Sequence, residues 1–162
     1  MEQTVQAEPV ARSGMPAAPL PHEWIAARIP HHGAMCLLDS VLELDADRIV
    51  CSARSHADPA NPLRAAGRLA AVCGIEYAAQ AMAAHGAALR AGGGRPALGY
   101  LASVRKLAMH VERLDNIAAP LRIEAERAGA DGDRVLYLFT LSADGRCLLE
   151  GRAAVLLEVP RP

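Results

Sequence analysis

Glu76 and Gln80 are the residues of this chain best placed to do chemistry. They stand four apart, the spacing that brings two side chains onto one helix face. They lie within Leu69 to Leu89, where Glu76 is the one formally charged residue. The rest of that stretch is Ala, Gly, Leu, Val, Ile, Met and Cys, apart from Tyr77, Gln80 and His85. By the same spacing Leu69, Cys73 and Ala83 share the face of Glu76. A lone carboxylate on so apolar a surface is costly to ionise, and its pKa is expected above the ordinary ~4.3. A carboxyl poised in that way suits acid/base catalysis. The plainer alternative is a structural Glu that caps a loop or pairs with an arginine distant in sequence.

The histidines offer the complementary group. His31 and His32 are adjacent, and adjacent side chains point apart, so a shared metal is not expected. His56 is the histidine nearest the loop that precedes the 69–89 stretch. His85 reads as a core or interface histidine and His110 as a strand-surface one. Tyr77 is expected to pack, with its hydroxyl on a backbone partner. Cys36, Cys51, Cys73 and Cys147 show no CxxC spacing, so neither a zinc knuckle nor a redox pair is suggested. The first three fall in apolar runs expected to be core, and Cys147 adjoins two leucines; this usage suits a reducing cytoplasm. No P-loop, dinucleotide-binding glycine pattern or serine nucleophile elbow is present.

These residues need elements to hold them. Pro59 and Pro62 stand before the apolar stretch and Gly92-Gly93-Gly94 after it, bracketing one long helix expected over 68–91. With no clean polar face, that helix is expected to be enclosed. Around it lie strand candidates at 35–44, 48–56, 98–111, 121–127, 135–142 and 148–159, with turns at 45–47, 129–133 and 144–145. Residues 57–67 read as a loop, and Trp24 and Ile25 as the start of a short helix ending at Pro30. Residues 1–20, rich in Ala and Pro without a period, read as a flexible tail, and 21–162 as a single domain.

Composition bounds the rest. A chain of 162 residues, 52% hydrophobic and 3% aromatic, fills its core with Leu, Val, Ile and Ala. Net charge is −1 with no basic block, which argues against nucleic acid. The N-terminal residues lack an apolar signal region, and the Ala/Gly content of 69–89, with its Glu, Gln and His, argues against a membrane span. A cytoplasmic protein is the expectation.

Two motifs resemble the 3-hydroxyacyl-[acyl carrier protein] dehydratases. Ile29-Pro30-His31-His32, followed by Leu37-Leu38-Asp39-Ser40-Val41, is similar to their entrance motif, L/I-P-H-R then L-L-V-D-R-V. Ala71 to Gln80 (AVCGIEYAAQ) is similar to their helix start, P-G-V-L-x-x-E-A-x-A-Q, with Glu and Gln at the same spacing. The likeness covers about residues 22–158 and is nearest to the branch found in aryl-polyene biosynthesis. It implies an α+β hotdog fold, in which a long central helix is wrapped by a curved antiparallel sheet of about five to six strands. The family's catalytic histidine stands fourteen residues before its Glu, and here that position is Pro62. Ala70 replaces the proline of the helix start.

In the family the histidine removes the α-proton of a 3-hydroxyacyl thioester and the Glu helps the hydroxyl leave as water, the two coming from different subunits. The resemblance therefore implies Glu76 as the catalytic carboxylate, Gln80 as its orienting neighbour and His56 as a displaced base. Arg64, Arg68 and Val72 would contact substrate, the arginines meeting a phosphopantetheine phosphate or an acidic carrier protein. His31 would be structural, fixing the N-terminal segment. No metal or organic cofactor is implied. The partners implied are an acyl carrier protein and a second hotdog subunit, identical or different. The expected activity is dehydration as one half of a shared site; a hotdog thioesterase and a non-catalytic partner subunit are the alternatives.

Overall fold

The computed structural model describes residues 14–90 and 99–157. The expected tail up to residue 13, the Gly92–Gly94 linker and the ends of three expected segments lie outside the described residues. Strand β1 (Leu20–Pro21) leads into helix α1 (His22–Ala26), and a 3-10 turn at Gly33–Met35 precedes the hairpin of β2 (Ser40–Leu44) and β3 (Arg48–Ala53). Further 3-10 turns at Ser55–Ala57 and Ala71–Cys73 flank the entry to helix α2 (Gly74–Ala88). The chain closes with β4 (Gly99–Met109), β5 (Leu121–Asp131), β6 (Arg134–Ala143) and β7 (Arg146–Leu157). All strands join one antiparallel sheet in the order β1-β2-β3-β5-β6-β7-β4.

That makes seven strands against the five to six expected. The extra one is the two-residue β1 on the outer edge, too short for any alternation to reveal. The first half of the 35–44 segment is not a strand: Met35 ends a 3-10 turn, and only Asp39 N–H reaches the neighbouring strand, donating to Ser52 O at 2.8 Å. The 129–133 turn shrinks to Gly132-Asp133. β5 runs on to Asp131, helped by a bulge between Arg127 and Gly129, and Gly132 takes φ +59°. Asp144 (φ +49°) and Gly145 (φ +73°) form the tight turn their types suggest.

Helix α2 is shorter than expected and less enclosed. Its first residue is Gly74, because Ala71–Cys73 coil more tightly, and Leu69 and Ala71 are held outside the helix by the 112–115 segment. Ala71 N–H donates to Glu112 O (3.0 Å), Leu114 N–H to Leu69 O (2.8 Å), and Leu69 N–H to Asp115 Oδ1 (2.8 Å). One face of α2 is buried: Tyr77, Ala78, Ala81, Ala84, His85 and Ala88 pack on the sheet through β3, β5 and β6. The other face, with Glu76, Ala79, Ala83, Gly86 and Ala87, is only half-buried. Its polar tolerance was invisible in sequence because small residues occupy it.

Gly74 sits where helix and sheet touch. A Cβ there would lie 2.5 Å from Leu149 Cδ2 and 2.9 Å from Leu141 Cδ2, and both leucines are fully buried. Gly74→Ala gains at most about 1 kcal/mol in helix propensity but costs about 1–3 kcal/mol by overpacking. The variant is expected to be less stable in chemical denaturation, with an unchanged m-value.

Candidate active site

Gln80 anchors the site. Its side chain is fully buried and makes three hydrogen bonds: Oε1 accepts from Leu37 N–H (2.9 Å), and Nε2 donates to Met35 O (2.7 Å) and to Glu76 Oε1 (3.1 Å). One amide thereby ties the segment after the Ile29-Pro30-His31-His32 motif to the helix and fixes a carboxylate one turn away. Ile29 is buried in the core and anchors that motif from the other side.

His31 then meets Glu76 directly, Nε2 to Oε1 at 2.8 Å, with side-chain exposures of 26% and 32%. This reverses the expectation for Glu76. Its pKa lies below, not above, the ordinary carboxylate value. The hydrogen bond from His31 is the largest cause; burial works against it, and the bond from Gln80 adds to it. The position in the first turn of α2 favours the anion as well. Glu76 is a carboxylate at neutral pH. The error in the sequence reading was to treat the helix as isolated: the compensating group lies 45 residues upstream.

Both residues line a cavity of about 370 Å³ that runs along the half-buried face of α2. Its floor is Ala79, Ala83, Gly86 and Ala87, and its opposite wall includes Tyr100, Val135, Tyr137 and Val155. From Glu76 to Ala87 the helix advances about 16 Å. The result is a mainly apolar slot with the His31–Glu76 pair at its head and Arg28, Arg90 and Arg127 also on its lining.

The other expected site residues fall elsewhere. His56 is 1% exposed, its Nε2 donates to Ile117 O at 3.0 Å, and it does not line the cavity. The loop that should carry the family's histidine is closed by its own polar network. Tyr77 Oη meets Ser55 Oγ (2.8 Å) and Asn61 Nδ2 (3.1 Å), Asn61 Nδ2 also donates to Ser55 O (2.8 Å), and Ser55 Oγ to Leu37 O (2.8 Å). The Tyr77 hydroxyl therefore uses side chains, not the expected backbone partner. Arg64 bonds Gly67 O and His56 O, both at 3.3 Å, and so serves the loop. Arg68 is exposed, and Val72 is 49% exposed just before α2; neither lines the cavity.

Of the cysteines, Cys36 and Cys51 are buried, while Cys73 and Cys147 are half-buried. Cys147 lies with His110 and Glu150, their ligand atoms within 4.8 Å of one another, the one metal-capable set among the described residues. None of the three lines the cavity.

One long helix laid into a bent antiparallel sheet, with a carboxylate near its N-terminus at the head of an apolar slot, defines a hotdog protein. Residues 24–159 match the sequence model of the ApeP-like family, described as ApeP dehydratase, and the chain belongs to that family. Among solved structures it is similar to the dehydratase heterocomplex ApeI:P from Xenorhabdus doucetiae, with a TM-score of 0.73 and 22% identity, covering 87% of this chain and 93% of that one. It also resembles zebra fish thioesterase superfamily member 2 (TM-score 0.58, 14% identity, 85% and 95% covered). A hypothetical thioesterase from Streptococcus pneumoniae solved with coenzyme A is similar as well (0.52, 11%, 75% and 87%). At these identities the structural matches speak for the fold. Among curated proteins none matches significantly in sequence. No helix among the described residues is long and apolar enough to cross a membrane.

Two expectations follow. Gln80→Leu strands Leu37 N–H and Met35 O, at about 2–4 kcal/mol for two unsatisfied groups; denaturant melts should register that loss. His85 is a core histidine whose Nε2 donates to Asp45 O and whose Nδ1 accepts from the Tyr137 hydroxyl, both at 2.9 Å. Burial lowers the pKa of His85 and of His56. The folded state therefore resists protonation that the unfolded chain accepts below ~6.5, and stability is fully present above that pH and lost as pH falls. Melting temperature should drop between pH 7.5 and 5.5, and drop less in His85→Gln.

Proposed function

We propose that this chain removes water from 3-hydroxyacyl thioesters carried on the phosphopantetheine of an acyl carrier protein, as one half of a site completed by a second hotdog subunit. The observation that carries this reading is a carboxylate at the head of an acyl-sized slot, in a chain whose matching histidine position is Pro62. Two such chains alone would offer two carboxylates and, at that position, a proline in place of the histidine, the His31 ring being engaged by Glu76. The partner's imidazole takes the α-proton, the C–H electrons form the double bond, and the C–O bond breaks. Glu76 accepts a hydrogen bond from the 3-hydroxyl and orients it for departure. The imidazolium formed in the first step returns its proton to the leaving oxygen, so that one water is lost and the base is reset.

A free sheet edge supports a partner. β4 pairs only with β7 among the described residues, and Tyr100, Leu101 and Met109 on it are 54%, 40% and 51% exposed. Exposed apolar groups on an unpaired edge are a pairing surface. The similar ApeI:P dehydratase from Xenorhabdus doucetiae is a heterocomplex.

The test is reconstitution. The chain alone is expected to be inactive on 3-hydroxyacyl thioesters, and mixing with a histidine-bearing hotdog partner should give a heterodimer that loses water without releasing thiol. Glu76→Ala should lower kcat by about 10²-fold or more. Efficient dehydration by the chain alone, abolished by His56→Ala, would place the base at His56 instead. Thiol release would make the protein a thioesterase. Full activity of the pair with Glu76→Ala would make it a non-catalytic subunit.

A further inference from the structure

We propose that His31 is a positioning residue of this site: it orients Glu76, with one carboxylate oxygen left for the substrate. The inference rests on the dehydratase reading above. It starts from how little else His31 does. Its bond to Glu76 is its one side-chain hydrogen bond among the described residues, and its Nδ1 is buried without a partner. A histidine that braced the N-terminal segment would bond that segment's backbone. Here the bracing is done by others: Gln80 holds Met35 O and Leu37 N–H, and His22 Nδ1 meets Leu38 O at 2.7 Å.

The geometry around Glu76 is asymmetric. His31 and Gln80 both donate to Oε1, from the loop and from the helix. No hydrogen bond is made to Oε2 among the described residues, and Glu76 lines the cavity. Two donors on one oxygen fix the carboxylate plane and leave the second oxygen for a substrate hydroxyl. The sequence fits the task. Ile29 is buried, Pro30 fixes the backbone before the histidine, and the ring is delivered to the head of the slot. The other charged or titratable groups lining the cavity are Arg28 after α1, Arg90 after α2, Tyr100 on β4, Arg127 on β5 and Tyr137 on β6. None of them hydrogen-bonds Glu76.

Removing the imidazole deletes one of two donors and the larger cause of the depressed Glu76 pKa. Glu76 would then take up a proton at higher pH and lose its fixed plane. The experiment compares the full chain with His31→Ala and His31→Gln, whose amide can replace the donated N–H. The Glu76 carboxyl is titrated by carbon-13 NMR, assigned with Glu76→Gln, and needs no activity. The expected result is a midpoint raised in His31→Ala and restored toward the original in His31→Gln.

In the reconstituted heterodimer, with a 3-hydroxyacyl thioester as substrate, His31→Gln should recover activity that His31→Ala loses. The value of kcat in His31→Ala should fall on the order of tenfold to a hundredfold with KM little changed. An unchanged Glu76 midpoint in His31→Ala overturns the inference, as does an unchanged kcat of His31→Ala in an active complex. A wild-type complex without dehydratase activity overturns the functional reading instead, and the role of His31 as a catalytic positioner falls with it, while the carboxyl titration still reports whether the pair exists.

Discussion

The fold and the site both depend on the buried amide of Gln80. An amide taken out of water is costly unless both its ends are bonded. Here Leu37 N–H, Met35 O and Glu76 Oε1 all use it. The entrance segment makes almost no ladder contact between residues 35 and 39, so the helix, not the sheet, sets its position. Satisfying Gln80 therefore decides where His31 sits relative to Glu76. A structural requirement and a chemical one are met by the same three bonds.

Charge at the site is decided by a contest of magnitudes. Half-burial of Glu76 favours the neutral acid. Two donated hydrogen bonds and a helix N-terminus favour the anion, and the anion prevails. On the proposed reading, such a carboxylate holds a hydroxyl rather than giving up a proton, and a proton returned by a partner's imidazolium fits that arrangement better than an acid on this chain.

Much of this was legible in the residues. The β2–β3 hairpin, the apolar strands β5 and β6 and the Asp144-Gly145 turn carry alternation or turn chemistry, and each appears near its expected place. The Glu76–Gln80 pair was legible because four residues of helix bring it together whatever the surroundings. Contacts at long separation were not. His31 to Glu76, Gln80 to Met35 and His85 to Asp45 each join segments forty or more residues apart, and no local pattern encodes such a closure. The half-open face of α2 was hidden for a different reason: Ala and Gly are neutral to burial, so their runs do not report which side meets solvent.

Those same small residues have a consequence for evolution. With Ala79, Ala83, Gly86 and Ala87 as the floor of the slot, an occupant rests close to the helix backbone, and the room available is set by atoms that can be trimmed by no more than a methyl group each. Change there runs mainly one way, toward a larger side chain and a shorter or thinner occupant. At Ala83, Gly86 and Ala87 each such step is a single substitution about two or more helical turns from Glu76, leaving its bonds to His31 and Gln80 intact. On the proposed reading, selectivity for the acyl group and competence for its chemistry are written largely in separate turns of one helix, free to diverge independently.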